Sequence, residues 1–191
     1  MLSDQSRTMF SGVTNKSGKF ISGLGISANF VSFMVLAVGL IAAYYIYVGA
    51  FYLAILFVII SGIFDGLDGA VARANNKVTE FGGVLDSTID KITEILIYLA
   101  LGLFNPWLWF PAALAISFFM LSSYISERAR TAGGRSAGGL LERKERLILI
   151  VLGLLFINYA AIILYIIAVL SLFTAGQRFF KNYKVLNQVK L

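Results

Sequence analysis

Four of the ten acidic residues are aspartates grouped between positions 65 and 90: Asp65, Asp68, Asp86 and Asp90. Within each pair the spacing is three or four residues, which on a helix places both carboxylates on one face. Converging carboxylates repel one another, and the cost grows as they leave bulk water. Arg73 and Lys91 can neutralise part of that charge. Hard divalent cations with oxygen ligands do it better, and Mg2+ keeps positions open for water and a substrate phosphate. Four carboxylates suit a two-metal site gripping a diphosphate. A structural ion-pair network or a proton pathway also fits the spacing, and the second would make the chain an ion or proton carrier. The chain has no His and no Cys. That removes the commonest general base, thiolate chemistry and disulfides. Any catalysis must run on carboxylates, hydroxyls, amines or guanidinium groups.

Gly66, Gly69, Gly82 and Gly83 are interleaved with the aspartates, beside Ala70 and Ala72. Glycine weakens a helix interior by about 1 kcal/mol relative to alanine. Such a group therefore serves either close helix packing or room for a ligand against bare backbone.

The elements that must position these residues are membrane helices. Hydrophobic residues make up 59% of the 191-residue chain and charged residues 14%, about half the charge of an ordinary soluble domain. A disordered chain, a nucleic-acid-binding domain and an ordinary globular enzyme are excluded on this composition. Residues 20–64, 95–126 and 147–177 hold no charge, whereas one spanning helix needs about 20 apolar residues. Breaks at 48–50, at Asn105-Pro106 and at Asn158-Tyr159 divide them. The pattern predicts helices near 28–48, 51–73, 80–104, 107–130, 141–157 and 160–182: an all-α integral membrane bundle of six transmembrane helices in a single domain, 1–191.

Charge placement sets the orientation. All 16 basic residues fall in the N-terminal segment, around the 2–3 and 4–5 connections, or in the C-terminal segment. The three opposite turns carry none. The positive-inside rule then makes both termini and the acidic site cytoplasmic. Residues 1–25 lack the apolar core of a cleavable leader and mix Met9, Phe10, Phe20 and Ile21 with Arg7, Lys16 and Lys19. They are expected to form an amphipathic juxtamembrane helix, the alternative being a polar tail. Counted from Phe51 and Phe104 at about 1.5 Å per residue, Asp65 and Asp90 both lie about 21 Å inward. Asp65 is therefore expected level with Asp90, and Asp68 with Asp86.

The run Asp65-x2-Asp68-Gly69-x2-Ala72-Arg73-x8-Gly82-x3-Asp86-x3-Asp90 resembles the signature of the CDP-alcohol phosphotransferases at every fixed position. The six-helix hydropathy is similar to that family over nearly the whole chain. The resemblance implies transfer of a phosphatidyl-type group from a CDP-linked lipid to an acceptor alcohol, with release of CMP. It implies two Mg2+ ions, or Mn2+, on Asp65, Asp68, Asp86 and Asp90. Asp90 would also take the proton of the attacking hydroxyl. Gly69, Ala72, Arg73, Gly82, Thr79 and Asn29 would contact the CDP-lipid, and the protein would be a homodimer. Ala28-Asn29 stands where the family often has Pro-Asn.

The acceptor is addressed by the segments Ser123–Arg130, Gly134-Arg135 and Leu141–Leu147, where Arg128, Arg130, Arg135, Arg143, Lys144 and Arg146 outnumber Glu127, Glu142 and Glu145. Arginine offers a two-pronged grip on phosphate. The patterns are similar to the phosphatidylinositol-phosphate and archaetidylinositol-phosphate synthase branch. Arg128 and Arg143 are the candidate ligands of a phosphorylated acceptor, expected to be inositol phosphate, with glycerol phosphate as the alternative. Plain positive-inside arginines near anionic headgroups are the other reading of the same residues.

Overall fold

The computed structural model describes residue 23 and residues 27–74, 78–134 and 138–188, apart from the side chains of Asp68 and Gln188. Its helices are α1 Ala28–Tyr47, α2 Phe51–Ala74, α3 Glu80–Phe104, α4 Trp109–Thr131, α5 Arg143–Leu155 and α6 Ala160–Gln188. No strand occurs among the described residues. The juxtamembrane helix expected over 1–25 lies outside the described residues except for Gly23.

Local chemistry explains where the helices begin and end. Ser27 caps α1, its Oγ accepting from the Phe30 N–H at 3.2 Å. Gly49 closes that helix at φ +78°, a left-handed conformation that favours glycine. Asn105 Oδ1 accepts from the Trp107 N–H at 3.1 Å. Pro106 then opens a 3-10 turn, Pro106–Leu108, so α4 starts at Trp109 rather than 107. A reciprocal capping box between Glu142 and Glu145 starts α5 at Arg143 rather than 141. A second 3-10 turn, Ile157–Tyr159, separates α5 from α6. α6 runs six residues past its expected end at 182. Hydropathy marks where lipid ends, and a helix is free to continue beyond it.

The chain divides into two compact units, Met1–Tyr45 with Leu53–Ile97, and Ile46–Tyr52 with Tyr98–Leu191. In the first, Val31, Val35, Ala54, Val58, Val71, Ile89 and Ile97 are buried. Small groups bring its helices close: a methyl on Gly39 would overlap the Thr93 side chain, and Ser61 Oγ donates to the Val35 carbonyl at 3.4 Å. In the second unit, α4 buries Ala112, Ala115, Phe119, Ser122, Ser126 and Ala129. Steps of three and four residues align these along one stripe, and α4 packs along α6.

Large apolar side chains also cover the outside. Phe33, Leu40, Ile59 and Ile63 are exposed in the first unit, and Ile162, Val169 and Phe173 in the second. Faces of this kind fit hydrocarbon rather than water. Four stretches, Ala28–Tyr47, Phe51–Ala74, Pro106–Thr131 and Ile157–Asn187, are long and apolar enough to cross a membrane. The protein is thus an all-helical membrane protein. α3 spans 25 residues but carries Asp86, Asp90, Lys91 and Glu94. α5 has 13 residues, about 20 Å of helix.

Candidate functional site

The aspartate spacing is realised in the first unit. One carboxylate oxygen each from Asp65, Asp86 and Asp90 lies within 4.8 Å of the others, and all three residues are half-buried. α2 supplies Asp65, and α3 supplies Asp86 and Asp90 one turn apart. The structure brings Asp65 to both α3 aspartates, where equal depth was expected only with Asp90. Asp68 lies in α2, with its side chain outside the described residues.

Of the two cations expected to offset this charge, Lys91 bonds within its own helix. Lys91 Nζ donates to the Ser87 carbonyl at 3.4 Å, one turn back on its own helix. An Arg73 guanidinium nitrogen lies 3.3 Å from where a methyl on Gly69 would stand. Among the described residues neither forms an ion pair. Three carboxylates this close favour a bound cation, and an all-oxygen donor set selects hard ions such as Mg2+ or Mn2+.

The glycines separate into two kinds. Among the described residues nothing lies within 4 Å of a methyl added at Gly66 or Gly83, so packing against those residues does not require their small size. Gly82 is different: a methyl there would stand 3.0 Å from Thr79 Oγ1 and 4.0 Å from Asn29 Oδ1. Thr79 caps α3, its Oγ1 accepting from the Gly82 N–H at 3.0 Å. Asn29, Thr79 and Gly82 therefore gather where α1 and α3 begin. Asn29, Thr79 and Arg73 are exposed, while Gly69, Ala72 and Gly82 are half-buried.

A family model described as CDP-alcohol phosphatidyltransferase matches residues 25–174. The chain belongs to this family. It is therefore a transferase of phospholipid biosynthesis, and the carrier reading falls. This phosphatidyltransferase is 37% identical to the archaetidylinositol phosphate synthase of Pyrococcus horikoshii, over 87% of this chain and 89% of that one. It is 30% identical to the phosphatidylinositol phosphate synthase of Mycobacteroides abscessus, over 91% and 84%. Among solved structures it is similar to the Mycobacterium tuberculosis phosphatidylinositol phosphate synthase with CDP-DAG bound. That match has a TM-score of 0.81 at 25% identity, covering 90% of this chain and 94% of that one. The same synthase has been solved in complex with manganese and citrate, with a TM-score of 0.80 at 25% identity, covering 89% and 88%.

In the second unit of the phosphatidyltransferase, Arg128 is exposed near the end of α4, and Arg143 is half-buried at the first position of α5. Two further arginines stand in the same unit: Arg146, counted in the basic excess but assigned no ligand, and Arg178, expected only to mark orientation. Arg146 is 7% exposed, with its guanidinium carbon 4.9 Å from the centroid of the Phe119 ring. Arg178 on α6 donates from Nη1 to the Ser122 carbonyl at 3.0 Å. Its buried Nε has no hydrogen-bond partner among the described residues. Glu127, Glu142 and Arg146 are its charged neighbours. The available sequence signal was position: Arg146 and Arg178 bracket the charge-free stretch 147–177, and a charge at such an edge can turn inward.

Proposed function

We propose that this protein transfers a phosphatidyl-type group from a CDP-linked lipid to a hydroxyl of inositol phosphate, releasing CMP. The convergence of Asp65, Asp86 and Asp90 within 4.8 Å supports the chemistry. The names of the similar synthases support the acceptor. Asp65, Asp68, Asp86 and Asp90 would hold two Mg2+ ions. When bound, these supply charge that stabilises the diphosphate oxygens and makes CMP a better leaving group.

The residues divide the work. Asn29, Gly69, Ala72, Arg73, Thr79 and Gly82 bind the cytidine diphosphate end, the glycines leaving room against the backbone and Arg73 pairing with phosphate oxygen. The acceptor oxygen attacks the lipid-side phosphorus, and the bond to the bridging oxygen breaks. CMP departs with that electron pair, and the hydroxyl proton passes to Asp90. An ordinary aspartate is a weak base at neutral pH, but neighbouring carboxylates raise its basicity. Arg128 and Arg143 are assigned to the acceptor phosphate, with Arg178 added because its buried Nε has no hydrogen-bond partner among the described residues.

In this reading the chain crosses the membrane six times, α3 included, with α5 completed by the residues that flank it and the 3-10 turn Ile157–Tyr159. An amphipathic N-terminal helix lies against it, and the termini and the site face the cytoplasm. The chain acts as one domain and pairs as a homodimer. The deciding experiment is an acceptor panel with purified protein, CDP-diacylglycerol and Mg2+, scored by CMP release. Inositol phosphate should outperform glycerol phosphate, serine and free inositol. Preference for glycerol phosphate would replace the acceptor, and no CMP release with any of them would overturn the reaction.

A further inference from the structure

Thr174, Gln177, Arg178 and Lys181 recur on α6 at steps of three and four, and so share a face. Three of them bond to the backbone of the segment that leads into α5. The Leu141 N–H donates to Thr174 Oγ1 at 3.1 Å. The same hydroxyl donates to the Leu170 carbonyl at 2.8 Å, which fixes its proton and turns a lone pair toward Leu141. The Leu140 N–H donates to Gln177 Oε1 at 3.2 Å, and Lys181 Nζ donates to the Gly138 carbonyl at 3.2 Å. Loop positions 138, 140 and 141 thus meet helix positions 181, 177 and 174, so the segment lies antiparallel along α6.

Packing fixes the same register. A methyl on Gly139 would overlap the Thr174 side chain, and Leu141 is 4% exposed. The next residue, Glu142, donates its N–H to the Glu145 carboxylate at 3.1 Å, and Arg143 follows as the first residue of α5. Arg178, on the same face of α6, is tied to Ser122 of α4. Slipping the segment by one residue would turn the start of α5 by about 100°, since the helix has about 3.6 residues per turn.

We propose that Thr174, flanked by Gln177 and Lys181, positions Arg143 for the acceptor phosphate: α6 is the template on which residues 138–142 are laid, and that register sets where the first guanidinium of α5 stands. The proposal rests on the assignment of Arg143 to that phosphate. Thr174 touches no substrate and is a positioning residue. Its effect therefore belongs in acceptor binding and not in CDP-lipid binding.

The test compares Thr174→Val, which keeps the shape and removes the hydroxyl, with Thr174→Ser, which keeps the hydroxyl. Gln177→Met is a milder second variant on a half-buried residue, and Arg143→Gln is the control. Readouts are KM for inositol phosphate, KM for CDP-lipid, and hydrogen exchange at Leu140 and Leu141. Losing one buried hydrogen bond should raise the acceptor KM about fivefold to tenfold in Thr174→Val. CDP-lipid KM should hold, exchange should quicken, and Thr174→Ser should restore both. Gln177→Met should shift the same two readouts less. Faster exchange without a change in acceptor KM, while Arg143→Gln does raise it, would overturn the positioning role alone. An unchanged acceptor KM in Arg143→Gln would remove the arginine assignment and this proposal with it. Unchanged exchange in both Thr174→Val and Gln177→Met would show that these bonds do not hold the loop.

Discussion

The two charged regions of the molecule are built on opposite principles. In the first unit, like charges are gathered: oxygens of Asp65, Asp86 and Asp90 lie within 4.8 Å, and Lys91 bonds back to the Ser87 carbonyl of its own helix. In the second, each inward arginine has protein groups that accept its charge. Arg146 lies over the Phe119 ring, and Arg178 rests on the Ser122 carbonyl. Electrostatics follows from this difference. A cation bound to a carboxylate cluster relieves its repulsion. Arginines stabilised by an aromatic face and a carbonyl keep their geometry without a ligand. One region is completed by what binds it, and the other is prepared beforehand.

Divalent metal should therefore divide the two regions most sharply. Chelation should abolish turnover, and adding Mg2+ or Mn2+ should restore it. The metal should also raise the melting temperature of the parent protein, with about 2.7 kcal/mol gained at a hundredfold excess over Kd. Asp86→Asn should lose most of that gain and Arg143→Gln none of it. Equal losses in both variants would erase the distinction.

Next in size is Asp90→Asn. General-base help is usually worth about 10²–10⁴ in rate, so turnover should fall by that factor while CDP-lipid still binds. A fall of less than about tenfold would remove Asp90 from proton transfer.

Smaller effects are expected on the arginine side. Arg128→Gln and Arg143→Gln should each raise acceptor KM about tenfold, the scale of a lost charge-assisted hydrogen bond. KM for CDP-lipid should stay nearly constant. Parallel shifts in both constants would favour arginines that serve only orientation. Smallest is Gly82→Ala. Its methyl would crowd Thr79 Oγ1 at 3.0 Å, and the neighbour must give by a few tenths of an ångström. CDP-lipid KM should rise about threefold, a fraction of the usual cost of overpacking, with acceptor KM unaffected. The reverse pattern would move Gly82 out of the nucleotide site.

The aspartate cluster was legible because its members sit on consecutive helices joined by a short connection, where spacing alone fixes the shared face. Helix breaks at Gly49, Asn105-Pro106 and Asn158-Tyr159 were legible because glycine, proline and capping side chains act locally. The arginine region was only half legible. Arg143 and Arg178 come from α5 and α6, whose pairing is set by packing that no spacing rule encodes. Arg146 showed in sequence only as one more positive charge, whereas its burial over Phe119 depends on α4. The length of α6 was missed for a related reason: Arg178, Lys181 and Lys184 end an apolar stretch without ending a helix. Gly66 and Gly83 lie beyond either kind of inference, since only the folded chain reveals that no described residue crowds the space beside them.

The 29 residues of α6 make a rod of about 43 Å, against a hydrocarbon core about 30 Å thick. Exposed Tyr159 stands just before its start and exposed Phe180 near its end, about 31 Å apart along the axis. Aromatic rings favour the two membrane interfaces, so this pair gauges bilayer thickness. Lys181 follows the second ring directly, and Gln177 and Thr174 lie one and two turns inward of it. A helix longer than its bilayer tilts, and a thicker bilayer straightens it. The loop bonded to that end must follow the tilt, so acyl-chain length becomes a variable in where residues 138–142 stand.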